Sequence, residues 1–187
     1  MITTATTARR AVRWAVLPAA AALGLGLFAV SAPSAEAAAH YCNGYRATIV
    51  GTNGSNEIEG TQGRDVIVGL GGHDEIDGNG GNDVICAGAG NDEVDGGSGN
   101  DWIDGSSGHD DLEGSSGNDH IKGGSGNDHL EGESGRDKLY GNSGRDLVEG
   151  GSGKDKVSGG SGSDVVRQGS ASDRAEDRWE DRNRDDD

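Results

Sequence analysis

Gly96-Gly97-Ser98-Gly99-Asn100-Asp101-Trp102-Ile103-Asp104 and Gly123-Gly124-Ser125-Gly126-Asn127-Asp128-His129-Leu130-Glu131 are one nine-residue pattern written twice. Working outward from them, the chain can be cut every nine residues without insertion from Gly51 to Arg167, giving thirteen units. The fourth position is Gly in all thirteen, the first is Gly in twelve (Ala87 excepted), and the sixth is Asp in twelve (Asn56 excepted). The eighth is always Ile, Leu or Val, from Ile58 through Ile103 and Leu130 to Val166. Self-similarity at a fixed short period marks a stacked-repeat architecture and decides the fold before any local propensity is weighed.

Each unit has a physical reading. Its Gly-rich first half suits a turn that visits positive φ and lets neighbouring backbones approach closely. Its last three residues form a short strand, in which position eight faces one way and positions seven and nine the other. One unit cannot bury its aliphatic residue. Two units per coil, with strands on opposite walls, press the residues together and pair each strand with its equivalent eighteen residues on. The predicted fold is all-β: a parallel β-roll, a right-handed solenoid with two nonapeptides per coil, six and a half coils and about 30 Å long at roughly 4.8 Å per coil.

Composition agrees that a conventional core is absent. Of 187 residues, 36 are Gly, and the aromatics amount to three Trp, three Tyr and one Phe. Asp and Glu number 33 against 16 Lys and Arg, for a formal charge of −17. Without the repeat, such a chain would read as self-repelling and disordered. Nucleic acid and anionic membrane surfaces are poor partners for it, since both need neutralisation by Lys and Arg. Cations are the natural partner. Carboxylates and carbonyls are hard ligands, and a flexible cage of many such oxygens favours Ca²⁺ over Mg²⁺ or zinc. Turn capping by Asp is the ordinary alternative, but it does not account for carboxylates stacked in two rows. Row neighbours about 5 Å apart repel by roughly 3 kcal/mol at an effective dielectric of 20.

The array resembles the hemolysin-type calcium-binding (RTX) repeat, GGxGxDxUx with U a large aliphatic, over 117 of the 187 residues. The resemblance implies calcium held between loops of adjacent coils by sixth-position carboxylates: Asp65, Asp74, Asp83, Asp92, Asp101, Asp110, Asp119, Asp128, Asp137, Asp146, Asp155 and Asp164. It also implies backbone carbonyls of the Gly-rich turns, such as Gly72, Gly81, Gly90, Gly99, Gly108, Gly117 and Gly126. Asn56 departs from the pattern, so the first site is expected to be weak or missing. With one site per pair of units two apart, thirteen units offer at most 11 sites. At millimolar calcium and a Kd of about 0.1 mM each adds roughly 1.4 kcal/mol, and at cytosolic levels almost nothing. The expectation is a chain unstructured inside the cell that folds outside it.

The outward positions differ by wall. On odd-numbered units they begin Glu57, Glu59, Glu75, Asp77, Glu93 and Asp95, an acidic ladder. On even units they begin Val66, Val68, Val84, Cys86 and Trp102, then turn mostly basic with His120, Lys122, Lys138 and Lys156. An apolar patch of this kind needs a cover. Extending the register backwards, Ala47-Thr48-Ile49-Val50 supplies a strand with Ile49 in the column, so residues 40–50 read as an N-terminal cap. Cys42 and Cys86 are the only cysteines, and a disulfide between them is expected in an exported protein. The five His residues are expected to be solvated.

Residues 1–39 differ from the rest. Arg9, Arg10 and Arg13 precede an apolar run from Trp14 to Val30, then small residues with A-x-A cleavage sites near Ala37 and Ala39. This reads as a secretory signal peptide rather than a membrane anchor, the run being short and broken by Pro18. Its removal leaves no membrane span in the mature form and takes the formal charge from −17 to −19. After the roll at 51–167, residues 168–187 read as a degenerate repeat and a charged, disordered tail. The function that follows is a secreted, extracellular, non-catalytic calcium-binding protein. An accessory or adhesive surface or matrix module, acting with a partner protein or enzyme, is the second reading. An enzyme does not fit: no catalytic domain has room beside the array, and neither G-x-S-x-G nor H-E-x-x-H occurs. An ice-binding rod would need flat arrays of Thr, where these walls carry charge of both signs.

Overall fold

The computed structural model describes residues 40–169; the segment read as a signal peptide and the tail beyond Gly169 lie outside the described residues. All named elements are strands, and among the described residues no helix is long and apolar enough to cross a membrane. The strands wind into a parallel β-solenoid of about seven turns, the β-roll that the nonapeptide period predicts.

Odd-numbered units build one seven-stranded parallel sheet, running from Glu57–Glu59 through Asp111–Glu113 to Val165–Arg167. Even units build the other, from Ile49–Val50 and Val66–Gly71 through His120–Ser125 to Lys156–Gly162. Register follows the eighteen-residue coil: Glu57 pairs with Glu75, Leu112 with Leu130, and Ile85 with Ile103. The two walls are not equal. Odd-wall strands keep the expected three residues, whereas most even-wall strands run to six or seven and continue into the next turn. There the ladder skips the first position and resumes at the second, so that Cys86 pairs with Asp104 and Gly88 with Ser106.

The eighth-position column is the core. Ile67, Ile85, Ile103, Leu112, Ile121, Leu130, Leu139 and Val148 are all completely buried, while Val166 at the far end is 43% exposed. The turns explain the fourth-position glycine. Gly108 has φ of +142°, and a Cβ on it would lie 1.4 Å from the carbonyl oxygen of Gly90 in the preceding coil. No side chain fits between backbones stacked that closely. The second position is also left-handed from the third unit onward, even where it is Leu70 (φ 81°) or Glu133 (φ 63°).

Residues 40–50 do more than add a strand. Tyr41–Cys42 and Tyr45–Arg46 form an antiparallel hairpin through Asn43 (φ 47°) and Gly44 (φ 80°), the two positive-φ residues that a type I′ turn requires. Ile49 then pairs with Ile67 at the head of the even wall. Cys42, buried and disulfide-bonded to Cys86 (Cα–Cα 5.8 Å), packs with Val66, Val68 and Val84 in a second apolar cluster, with Leu70 and Trp102 against it. The Arg64 guanidinium covers the Tyr45 ring at 4.3 Å. The valines that would have formed an open patch are thereby buried.

Candidate metal centre

The sixth residue of each unit ends the turn and starts the strand, which points its carboxylate back under the loop. Each carboxylate then bonds one coil backwards along its own row. Oδ1 of Asp83 accepts the Asp65 backbone N–H (2.7 Å), Asp101 that of Asp83 (2.7 Å), and Asp119 that of Asp101 (2.8 Å). The other row repeats this with Asp92 on Asp74 (2.9 Å), Asp110 on Asp92 (3.0 Å) and Asp128 on Asp110 (3.1 Å). At the C-terminal end Asp155 and Asp164 take the N–H groups of Asp137 and Asp146.

One oxygen per carboxylate is thereby satisfied. The second is different: Oδ2 of Asp74, Asp83, Asp92, Asp101, Asp110, Asp119, Asp128, Asp137 and Asp146 is buried and makes no hydrogen bond. A buried, unpaired carboxylate oxygen is costly, and an ionised one demands a cation. Burial pushes the Asp110 and Asp119 carboxyls up to about 7 and those of Asp101 and Asp137 up to about 6. The accepted N–H opposes this rise and the charges of row neighbours add to it.

The surroundings of Oδ2 are oxygen-rich. A Cβ on Gly105 would meet Asp110 Oδ2 at 2.5 Å and the Gly123 carbonyl oxygen at 2.6 Å, and one on Gly69 would meet Asp74 Oδ2 at 2.6 Å and the Ala87 oxygen at 2.3 Å. First-position glycine thus keeps open a space on which a carboxylate and the next coil's carbonyl converge. The fourth-position carbonyls of Gly72, Gly81, Gly90, Gly99, Gly108, Gly117 and Gly126 each face the glycine Cα one coil on. Carboxylate oxygens without hydrogen bonds, with carbonyl oxygens of the next coil converging beside them, suit a hard divalent cation such as Ca²⁺.

The first two units are built otherwise. Asp65 Oδ2 accepts the backbone N–H and the hydroxyl of Thr61 (2.7 and 2.8 Å), and Thr48 adds a hydroxyl to Oδ1 (3.3 Å). Asn56 Oδ1 accepts the Thr52 N–H (2.6 Å) in the same way. Asp65 thus sits with the other aspartates in the fold, but its second oxygen is already engaged. Threonine at position two was the available signal, and only Thr52 and Thr61 carry it.

Two further features were not anticipated. Position five forms its own ladder: Asn100 N–H donates to Asn82 Oδ1 (2.7 Å), and Asn91 and Asn127 N–H donate to Nδ1 of His73 and His109 (2.8 Å each). These two histidines, expected to be merely solvated, are backbone acceptors. His129 is likewise held, between Asp111 and Glu131 on the acidic wall. His120 sits between Trp102 and Tyr140 (ring centroids 6.4 and 5.5 Å), its pKa lowered by burial and then by Lys122 and Lys138.

Stacked carboxylate-lined turns on a parallel β-solenoid define a class, the tandem-repeat cation-binding rolls. The RTX calcium-binding nonapeptide repeat, taken four copies at a time, matches residues 50–85, 81–112, 104–139, 113–148 and 131–166. These matches span more than half of the chain, which belongs to that family, and repeats of this family bind calcium. No curated protein matches the chain.

Proposed function

We propose that this is an exported, extracellular, non-catalytic calcium-binding protein whose roll assembles when calcium bridges successive coils. The observation that carries the reading is the double row of buried Asp Oδ2 atoms without hydrogen bonds, from Asp74 to Asp146. Asp74 and its sixth-position successors to Asp164 are the proposed ligands, with turn carbonyls completing each site, and Asp65 a weak one. From the third unit onward Oδ1 fixes the carboxylate to the previous coil's N–H in the folded roll, so that Oδ2 is left facing the turn. Bound calcium supplies the positive charge that lets these carboxylates ionise while buried. Thirteen aliphatic side chains alone cannot offset the ordering of so long a chain. Export rests on the composition of residues 1–39 and on the Cys42–Cys86 disulfide, a bond characteristic of oxidising compartments. Far-UV circular dichroism of the mature chain tests the coupling: strand signal is expected in millimolar calcium and lost in EGTA. Equal strand content in both would defeat it.

A further inference from the structure

Outside the turns, one cluster on the odd wall brings an imidazole and two carboxylates together. His129 and Glu131 lie on one strand and Glu149 on the next, with His129 paired to Leu147 and Glu131 to Glu149 across the ladder. His129 Nε2 lies 3.0 Å from Glu131 Oε1 and 3.8 Å from Glu149 Oε2, and the three ligand atoms all fall within 4.8 Å of one another. We propose that His129, Glu131 and Glu149 form a binding site for a first-row transition-metal ion of the zinc class, separate from the calcium loops.

The second observation is the state of the imidazole. Nδ1 lies 3.0 Å from Asp111 Oδ1, which orients the ring. Nε2 on the opposite side is buried, makes no hydrogen bond, and faces Glu131 and Glu149. A carboxylate behind Nδ1 is the usual way a metal-binding histidine is oriented and made more basic. Glu149 is oriented likewise: its Oε1 is held by the Arg167 guanidinium, which leaves Oε2 on the His129 side.

Spacing and chemistry select the ion. Ligands about 2.0–2.2 Å from a zinc-class ion lie roughly 3.0–3.5 Å from one another when adjacent, close to the separations here. Calcium asks for six to eight oxygens and gains little from an imidazole. Three protein ligands leave a coordination position open toward the cleft lined by Glu133, Gly151 and Gly169. An ion there would clamp adjacent strands where Glu131, Glu133 and Glu149 line one cleft with the Arg167 guanidinium.

Zinc titration calorimetry on the full mature chain, in saturating calcium so that the turns are filled, tests the assignment. One zinc per chain is expected, weakened at least tenfold by His129→Ala and about tenfold by Asp111→Asn. Cobalt(II) in place of zinc should give visible absorption bands that His129→Ala removes. Should that variant lose its calcium-dependent circular dichroism, Glu149→Gln, which keeps the side-chain volume, serves instead. Absence of zinc uptake by the wild type in calcium, or wild-type affinity in the folded variants, overturns the site.

Discussion

The first two nonapeptides and the units that follow share one register but meet the same need with different chemistry. In residues 51–68 the position-six side chain is met by threonine: Thr61 serves Asp65 Oδ2, and Thr52 serves the single side-chain oxygen of Asn56. From Leu70 onward the second position turns left-handed, and from Asp74 to Asp146 Oδ2 is buried without a hydrogen bond. The same early coils are covered by the Tyr41–Arg46 hairpin and tied by Cys42–Cys86, whose 44-residue separation corresponds to about 4 kcal/mol of loop-closure entropy. One end of the roll is thus held by a disulfide and by protein-only contacts, whereas the coils beyond it leave a row of buried carboxylate oxygens without hydrogen bonds. A conserved spacing does not guarantee a conserved way of satisfying it.

The sharpest contrast is at position four. Gly108→Ala would drive a methyl into the Gly90 carbonyl, whereas a Cβ on Gly54 has nothing nearer than Thr52 Oγ1 at 4.0 Å. Gly108→Ala should cost more than about 4 kcal/mol of unfolding free energy in calcium and Gly54→Ala less than about 0.5. Equal costs by denaturant titration would erase the distinction between the two regions.

Next comes the carboxylate itself. Asp110→Asn keeps an oxygen for the Asp92 N–H but removes the charge, and is expected to raise the calcium midpoint several-fold and to cost about 2 kcal/mol. Asp65→Asn, whose oxygen already accepts from Thr61, should cost about 1 kcal/mol or less in calcium and move the calcium midpoint far less than Asp110→Asn. A calcium midpoint moved as far by Asp65→Asn as by Asp110→Asn would mean that threonine does not replace the ion.

The smallest effect is in pH. Metal-free, the folded Asp110 and Asp119 carboxyls titrate near 7, well above their ordinary value of 3.8, because burial disfavours the charge. A raised carboxyl pKa contributes stability that is full below about pH 4 and lost as pH rises through 7. In EGTA the strand signal should therefore grow as pH falls from 7.5 toward 5, while the calcium midpoint shifts upward because protons compete for the same oxygens. A midpoint flat across that range would argue against carboxylates as the ligands.

How much of this was legible follows from what each feature depends on. The strands, the buried column and the two rows of aspartates all descend from the nine-residue period, which a single chain displays openly, and the Cys42–Cys86 pairing from there being only two cysteines. The hairpin at Asn43-Gly44 was also written in the chain, as an Asn-Gly pair, but only two residues flank it on each side in strand form, too few for an alternation to be seen. The long even-wall strands were hidden because they run through glycine and serine, whose identity says nothing about pairing. The roles of His73 and His129 depend on which neighbour the coil brings within about 3 Å, eighteen residues away for both.

Because every strand of the roll bonds to its counterpart eighteen positions along, the length of the roll is quantised. Excising a single nonapeptide, residues 105–113 for instance, would hand every later unit to the opposite wall and stack His120 and Lys122 beside Glu93 and Asp95. Excising two would leave both faces as they were. Growth or shrinkage of such a chain that respects its surfaces must therefore proceed by whole windings, and half-steps turn the molecule inside its own pattern.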